Sequence, residues 1–371
     1  MDFLSPVLSG RVKKRMDGGN VTGTDKNSLE KIDIGDLNFE EMQSFMLDMG
    51  QKAFRGRQLY QWIHGHLACS FEEMTNLPKD FRQELAQRAM IAGAKVAARQ
   101  VSKDGTSKFL FELSDGNFVE SVLMKYKHGN SVCISTQVGC RMGCRFCAST
   151  VGGLVRNLRA SEMLAQVYGI QRISGERISN VILMGIGEPL DNYDNVVKFV
   201  RMVSDEYGLN ISQRNLTIST CGLPEKIREL AKEDLAITLA ISLHAPNDAL
   251  RQEMMPVAVK YPLAGIIDAC RYYIEKTGRR VTFEYSMVQG KNDSLEEAEE
   301  LCRLVQGMNC HVNLIPLNPV EGRMGQRSGR GQIEGFRAVL EKNHVTVTVR
   351  RELGRDIDAA CGQLRQQYSD F

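Results

Sequence analysis

Three cysteines in one short loop carry the most specific chemistry in the sequence. Cys140, Cys144 and Cys147 have the spacing Cys-x3-Cys-x2-Cys, and no further cysteine or histidine follows closely. Thiolates hold iron–sulfur clusters, and three thiolates on a four-iron cluster leave one iron open to another ligand. A structural zinc site takes four protein ligands and stays closed. The spacing therefore favours an iron–sulfur cluster, while a zinc site or three unrelated buried thiols remain alternatives.

The composition is that of a globular chain. Of 371 residues, 25% are charged and 43% are apolar, enough for a large core and a smaller appendage. No apolar stretch is long enough to span a bilayer, so we expect no membrane partner. The first residues lack the charge order of a secretory signal, and clustered cysteines suit a reducing compartment. We therefore expect a cytoplasmic protein.

Basic residues are concentrated in one segment. The net charge is only +2, but residues 51–110 contain ten Lys and Arg against five acids. Such a segment can face the phosphates of a nucleic acid. Ordinary solvated helix faces explain the same charges equally well.

Periodic patterns predict an α/β fold around these residues. Short β-branched runs alternate with helical stretches, and six strand–helix units imply a parallel sheet that is closed or curved into a barrel. A further helix over 332–343 and a strand over 344–350 follow. The predicted strands cover 131–136, 180–184, 215–219, 236–242, 280–287 and 311–316, and the predicted helices cover 160–173, 193–207, 224–232, 262–277 and 295–306.

The same patterns divide the chain into parts. The N-terminal residues lack an apolar period, and a stretch with helical spacing of apolar residues follows, then strand-like runs at 108–113 and 118–125. We predict a flexible extension over 1–36, a small helical accessory domain over 37–110, a partial parallel (β/α)6 barrel over 126–355 and a C-terminal loop over 356–371.

Polar residues and glycines follow the predicted strands at their carboxyl ends, where parallel barrels collect their active-site residues. Each of them has an ordinary explanation as a turn, a cap or a surface hydroxyl. Because they fall at corresponding edges of one barrel, a shared site is the better explanation. They are the cysteine loop, then Gly185, Gly187 and Glu188, then Ser219, then Ser242, Leu243 and His244, and finally Asn318.

The glycine pair does not indicate a dinucleotide fold. The third glycine of that motif is missing, and Glu188-Pro189 stands where the helix would open. Gly185 and Gly187 would let the backbone approach a ligand closely. Glu188 could accept hydrogen bonds from the ammonium group of a bound methionine moiety. This arrangement fits S-adenosylmethionine (SAM) better than a nicotinamide cofactor.

Further motifs resemble a known family. The segment 120–364 is similar to the radical SAM methyltransferases that modify C2 of adenine in 23S ribosomal RNA and in certain tRNAs, and 52–58 resembles their N-terminal accessory domain. The resemblance covers about nine-tenths of the chain. It rests on Glu120-Ser121-Val122, on Ser131 through Gln137, on Gly139 through Ala148, on Met184 through Asn195, on Ser242-Leu243-His244-Ala245 and on Asp356 through Leu364.

The resemblance implies cofactors and residue roles. A [4Fe-4S] cluster would be bound by the three loop cysteines. SAM would contact Gly187, Glu188, Ser219, Ser242, Leu243, His244 and Asn318. Cys361 would carry the methyl group as S-methylcysteine in a ping-pong reaction that uses two molecules of SAM. Cys133 would release the product through a transient disulfide with Cys361, and Glu120 would accept a proton. Without the resemblance, both thiols read as small buried hydrophobic residues and Glu120 as a strand-edge acid.

The implied substrates explain the need for radical chemistry. C2 of adenine lies between two electron-poor nitrogens and is not a nucleophile, whereas a radical can add to it. The family implies 23S ribosomal RNA before full ribosome assembly, tRNA, an electron donor such as flavodoxin or ferredoxin, and a monomer. We expect phosphate contacts from the basic segment and from Arg141, Arg145, Arg156 and Arg159.

Two alternatives remain open. A related family methylates C8 of the same ribosomal adenosine with the same cysteines, and Pro189 favours the C2 enzyme because the relative has alanine there. An iron–sulfur RNA-binding protein without turnover is the second alternative.

Overall fold

The computed structural model describes residues 31–127, 129–360 and 362–364. The helices are α1 Phe39–Asp48, α2 Phe54–Tyr60, α3 Lys79–Arg88, α4 Ala160–Ser174, α5 Tyr193–Val203, α6 Pro224–Leu230, α7 Asp248–Met254, α8 Leu263–Thr277, α9 Leu295–Val305 and α10 Arg330–Lys342. The strands are β1 Ile32–Asp33, β2 Ala89–Met90, β3 Lys95–Val101, β4 Ser107–Glu112, β5 Phe118–Tyr126, β6 Gly129–Cys133, β7 Gln137–Gly139, β8 Leu154–Asn157, β9 Ile178–Leu183, β10 Leu216–Thr220, β11 Thr238–Ser242, β12 Val281–Met287, β13 Cys310–Pro316 and β14 Val347–Val349.

One large sheet organises the described part of the chain. Its strand order is β14-β13-β12-β11-β10-β9-β6-β5-β4-β3. The strands from β6 through β9 to β14 run parallel, and β3, β4 and β5 extend the sheet antiparallel to one another and to β6. The ends of β9 to β13 line one cavity with the loop that follows β7, so the parallel part curves into a partial barrel. The predicted α/β fold class is confirmed.

The N-terminal helices form a layer beside α4. In the N-terminal region the last helix, α3, ends at Arg88. The expected helical domain extends to residue 110, but β3 and β4, which lie before or across that boundary, belong to the main sheet. Phe111 on β4 is fully buried, and its ring approaches Gly169 of α4 so closely that a Cβ there would lie 2.9 Å from it. Residues at the end of the expected N-terminal extension are also held in place, since Asp33 accepts a hydrogen bond from Ser161 Oγ at 2.8 Å.

The C-terminal segment returns to the barrel mouth. At its start, the Gly354 N–H donates to Asp104 in the β3–β4 turn at 2.9 Å. At its end, Ala148 N–H donates to the Gly362 carbonyl at 2.8 Å, and Ser149 Oγ donates to the Leu364 carbonyl at 3.0 Å. The segment 354–364 therefore spans from the β3–β4 turn to the cysteine loop, and Cys361 within it lies outside the described residues.

No helix in the described ranges combines the length and apolar character needed to cross a membrane.

Candidate active site

The carboxyl ends of the parallel strands surround one cavity that opens to solvent. Most of the residues predicted from the strand ends lie in its wall. Its lining includes Cys140, Cys144, Cys147, Gly185, Gly187, Glu188, Ser219, Ser242, His244, Glu284, Asn318 and Gly362.

The three loop cysteines face this cavity together. Burial raises the pKa of Cys140 to about 12, and the Met142 backbone N–H acts in the opposite direction. Burial also raises the pKa of Cys144 well above its usual value, and the thiols of Cys147 and Cys140 add to the effect. Among the described residues, no three Cys, His, Asp or Glu side chains converge on a site for a single metal ion. A four-iron cluster does not require such convergence, because each thiolate binds a different iron, so three thiols in one cavity wall are a donor set that fits a cluster with one open iron.

Two arginines and one hydroxyl group act on the cysteine loop. Thr150 Oγ1 lies 3.1 Å from the carbonyl oxygens of both Cys144 and Cys147. Arg323 donates to the Cys144 carbonyl at 2.8 Å. Arg251 is fully buried, and its guanidinium acts on the Cys144 thiol, lowering its pKa against the larger effect of burial. Arg251 also donates to the Leu243 carbonyl at 3.1 Å. Sequence reasoning missed these residues, because isolated Arg and Thr residues carry no spacing signal.

Glu188 is a buried carboxylate on the cavity wall. One oxygen accepts the N–H of Leu190 at 3.0 Å, and the other accepts the N–H of Cys221 at 2.7 Å. Burial raises the pKa of Glu188, whereas these N–H groups and Thr220 act to lower it. Each carboxylate oxygen has two lone pairs, so Glu188 can still accept from a ligand cation.

The glycines near Glu188 are required by the chain's own backbone. A Cβ at Gly185 would lie 2.6 Å from the Ile134 carbonyl oxygen. Gly187 has φ +115°, and a Cβ there would lie 2.8 Å from the Gln137 nitrogen. We expected a ligand to approach these two glycines closely, but in the structure residues 134–137 of the chain itself do so. This contact fixes the loop that carries Glu188, whose N–H donates to Gln137 Oε1 at 2.8 Å.

Ser219, Ser242 and His244 form the neighbouring part of the wall. The two serine Oγ atoms are 3.5 Å apart. Burial, with Arg251 nearby, lowers the pKa of His244 to about 3, so its ring is neutral at physiological pH. His244 Nδ1 accepts the Ser286 N–H at 3.0 Å, which places the ring proton on Nε2. The ring therefore has one donor to offer a cofactor.

Two further residues, Asn318 and Glu284, lie on the cavity wall, whereas Leu243 does not. Asn318 lies there as predicted. Leu243 is fully buried and is absent from the cavity lining. Its N–H donates to the Glu284 carbonyl at 3.0 Å. Glu284 itself is a buried acid of the wall that sequence reasoning missed. Burial raises its pKa, while Arg350 and the Asn313 amide act to lower it. A mid-strand Glu gives no signal in the sequence.

Cys133 lies in a separate apolar cluster beside the C-terminal segment. Its buried neighbours there include Val122, Ala359 and Leu364. Val122 pairs directly with Cys133 across the sheet. Side chains alternate along a strand, so Glu120, two residues before Val122, lies on the same face. Glu120 is buried, lies 3.3 Å from Lys108 Nζ and is absent from the cavity lining.

Several predicted RNA-contacting cations have protein partners. Lys108 is buried in its ion pair with Glu120. Arg156 pairs with Asp115 and Glu162, and Arg159 lies 3.4 Å from Asp33. Arg141, at the exposed rim, pairs with Asp191. The nine described cysteines form no disulfide with one another.

Comparisons with known proteins agree with this geometry. Two family models match, the ribosomal RNA large subunit methyltransferase N-terminal domain over residues 32–91 and the radical SAM superfamily over 134–305. A probable dual-specificity RNA methyltransferase RlmN from Lachnospira eligens is 60% identical over 91% of this chain and 97% of its own length. The corresponding protein of Lachnoclostridium phytofermentans is 60% identical over 92% of this chain and 96% of its own length.

A solved structure shows the same fold. A radical SAM methyltransferase from Sphaerobacter thermophilus superposes with a TM-score of 0.88 at 43% identity, covering 91% of this chain and 100% of that one. The N-terminal family model, the identity over nearly the whole chain and the conserved architecture lead to one assignment. The chain belongs to the RlmN family of radical SAM RNA methyltransferases.

Proposed function

We propose that the protein methylates C2 of an adenosine in 23S ribosomal RNA and of the adenosine 3′ of the anticodon in some tRNAs. The relatives are named dual-specificity RNA methyltransferases, which supports both substrates. The observation that carries the proposal is the convergence of three parts of the chain. Gly362 lines the same cavity as the cysteine loop, while Ala359 and Leu364 pack with Cys133.

The cavity wall supports a role in binding the two cofactors. Cys140, Cys144 and Cys147 would hold a [4Fe-4S] cluster, which supplies one electron for the cleavage of SAM. Glu188 would accept hydrogen bonds from the ammonium group of SAM. The remaining polar groups of SAM would form hydrogen bonds with Ser219, Ser242 and Asn318. His244 would donate from Nε2. Leu243 would act through its backbone, which fixes His244 against β12.

The two thiols proposed for group transfer are Cys133 and Cys361, and Cys133 packs beside the C-terminal segment. Cys361 would accept a methyl group from one SAM, and the adenosyl radical that the cleavage of a second SAM supplies would take one hydrogen atom from that methyl group. The resulting methylene carbon would add to C2 of the base, and the adduct would lose the C2 proton and return one electron to the cluster. Cys133 would then attack the sulfur of Cys361, so that a disulfide forms, the bond from sulfur to the transferred carbon breaks, and that carbon takes up a proton to become the methyl group. Support comes from the flanking residues, because Ala359 contacts the cluster of Cys133 and Gly362 hydrogen-bonds to Ala148.

Glu120 is proposed to accept the proton that leaves C2. It lies on the face of the sheet that carries Cys133, and its carboxyl group is 3.3 Å from Lys108 Nζ. A carboxylate is a group that can act as a general base.

The accessory region, residues 37–110, is proposed to contribute to RNA binding. Its match to a ribosomal RNA methyltransferase domain supports this role. A flavodoxin or ferredoxin as electron donor, a monomeric state and a cytoplasmic location remain parts of the same proposal, as does the division of the chain at 36, 110, 126 and 355.

Mass spectrometry of ribosomal and transfer RNA tests the proposal directly. RNA from cells with and without the gene should differ in C2-methyladenosine in both RNA classes. C8-methyladenosine instead would show the activity of the related resistance enzymes, and Pro189, which begins a buried turn after Glu188, would not mark regiospecificity. The absence of any methyladenosine difference, together with no adenosyl cleavage by reduced protein, would indicate a non-catalytic RNA-binding protein.

A further inference from the structure

A second depression lies at the edge of the barrel, where β14 ends the sheet and α10 begins. The sequence Arg327-Ser328-Gly329-Arg330-Gly331 leads into the helix. Arg327, Ser328, Gly329 and Arg330 line the depression, together with Arg350 from the end of β14. None of these residues belongs to the cavity described above.

The first turn of α10 offers free backbone donors. The helix has 13 residues, and its N-cap, Gly329, supplies no side-chain hydrogen bond. No acidic residue lies in the first turn to occupy the positive end of the helix dipole. A Cβ built at Gly329 or at Gly331 would meet no heavy atom within 4 Å, so the space above these N–H groups is open. Such a helix end favours an anion.

Ser328 provides independent evidence for a ligand. Its side chain is only 2% exposed, and its hydroxyl has no hydrogen-bond partner. Buried hydroxyl groups are normally hydrogen-bonded, so an unpaired one in a lined depression marks the place of a missing polar partner. A phosphate oxygen can accept this hydroxyl proton.

The charges around the depression favour the same ligand. Arg327 pairs with Glu352, and Glu334 lies 3.2 Å from Arg337 on the outer side of the helix. Arg330 is a further cation of the lining, and Arg350, which also lines the depression, acts on the buried Glu284. The acids of the lining are thus both engaged with arginines, and the surplus charge is positive.

The depression is connected to the catalytic cavity. A smaller depression between them shares Ile315 and Asn318 with the cavity, and it shares Pro316, Arg350 and Glu352 with the depression at α10. A polynucleotide whose target base enters the cavity can therefore follow a continuous path to the start of α10.

We propose that the N-terminus of α10, with Ser328 and Arg330, binds a backbone phosphate of the RNA substrate. The inference rests on the proposed function. It adds a specific contact at the β14 edge of the large sheet, whereas the accessory region lies toward the opposite edge, at β3. Its role is positioning, since neither residue touches the cavity that would hold the cofactors.

Binding measurements on the full-length protein test the contact. The probe is an unmodified transcript of the peptidyl transferase region of 23S ribosomal RNA, followed by fluorescence anisotropy at several salt concentrations. Arg330→Gln should weaken binding about 3- to 10-fold near 0.1 M salt and reduce the salt slope by about one, as expected for a lost phosphate contact. The matched control is Lys342→Gln, which removes one positive charge from the last turn of the same helix, away from the depression.

A second pair of variants separates binding from folding. Gly331→Glu places a carboxylate at the helix N-terminus, which should maintain or raise the melting temperature while repelling the phosphate. Gly331→Gln, its neutral counterpart, should bind RNA more tightly than Gly331→Glu. Cleavage of SAM in the absence of RNA should be unchanged in all four variants, and KM for RNA should rise in Arg330→Gln without a change in kcat.

Equal RNA affinities of Arg330→Gln and Lys342→Gln would overturn the proposal, as would wild-type affinity in Gly331→Glu. Inorganic phosphate provides the remaining comparison. Phosphate that bound the wild type but not Arg330→Gln, with unchanged RNA affinity in the variant, would identify a free-phosphate site and overturn the RNA assignment. A wild-type protein that binds the transcript but forms no C2-methyladenosine would contradict the proposed function alone, because the binding comparison needs no turnover.

Discussion

Asp104 accepts a hydrogen bond from the backbone N–H of Gly354 at 2.9 Å, which joins the β3–β4 turn to a residue 250 positions later in the sequence. The next residues continue the contact, since Asp356 accepts from Ser102 Oγ and from the Lys103 N–H. Gly354 has φ +66°, and a Cβ there would lie 2.9 Å from Thr106 Cγ2. The antiparallel extension of the sheet therefore holds the start of the segment that ends at the cysteine loop.

Removing this carboxylate should loosen the C-terminal segment without unfolding the barrel. In Asp104→Ala we expect faster hydrogen exchange in residues 352–360 and methylation reduced about 3- to 10-fold, with unchanged iron content. Hydrogen-exchange mass spectrometry checks this. Asp115→Ala, at the next turn of the same extension, is the matched control. Equal exchange in both variants would mean that the contact has no anchoring role.

The same contact should depend on pH. Burial acts to raise the pKa of Asp104, but hydrogen bonds from Gly354, Thr106 and Ser102 outweigh it and lower the pKa to about 2. A depressed pKa in the folded state gives stability that is present above the unfolded value of about 4 and is lost as pH falls toward 2. Exchange at Gly354 should therefore accelerate between about pH 4 and 2 in the wild type, beyond the intrinsic change. A parallel response in Asp104→Ala would contradict this.

Replacing Cys140, Cys144 and Cys147 together by alanine should remove the brown chromophore and nearly all iron. Iron and sulfide analysis of protein purified without oxygen measures this. The triple alanine variant of Cys270, Cys302 and Cys310, which are buried away from the cavity, should retain its iron. Stoichiometric iron in the first variant would refute the cluster ligands.

Glu188→Ala should weaken SAM binding about 10-fold or more with unchanged iron, because a charged hydrogen bond contributes about 1.5–3 kcal/mol. Equilibrium binding to the reconstituted protein provides the measurement. Asp191→Asn removes a nearby charge that pairs with Arg141 at the rim, and it should change the affinity less than 2-fold. Unchanged affinity in Glu188→Ala would place the ammonium group elsewhere.

The thiol pair should give opposite results on denaturing gels. Cys361→Ala should carry neither methyl group nor RNA, because the first acceptor is absent. Cys133→Ala should accumulate RNA covalently attached through Cys361, because the attacking sulfur is missing. Cys69→Ala, which alters an exposed thiol, should behave as wild type. Crosslinked RNA on Cys361→Ala, or free methylated product from Cys133→Ala, would overturn the two assignments.

Sequence patterns predicted the barrel well, because parallel buried strands and amphipathic helices leave strong local signals. The predicted strand 280–287, for example, differs from β12 by one residue, and the predicted helix 295–306 differs from α9 by one residue. The residues at the strand ends were also predictable, since topology brings all of them to one edge. The order of strands and helices along the chain was therefore sufficient to predict this part of the site.

The remainder depends on contacts between distant residues. Arg251 acts on Cys144 from a short helix more than 100 positions away, and nothing near it in sequence indicates that role. The sequence suggests that Arg156 and Arg159 are surface cations available to RNA, but in the structure Arg156 pairs with Glu162 and Arg159 pairs with Asp33. Gly187 suggested space for a ligand but makes room for Gln137. Such pairings become visible only when the packed partners are known.

The return of the C-terminal segment to the cysteine loop has a consequence for biosynthesis. A chain emerging from the ribosome can form the accessory helices, the antiparallel extension and the strands to β14 before residues 354–364 appear. The wall of the cavity nearest Cys133 is completed by those late residues, through Ala359, Gly362 and Leu364. A nascent chain can therefore have a nearly complete barrel and still lack the thiol proposed to receive the methyl group, so premature termination in this region would leave a folded protein without transfer activity.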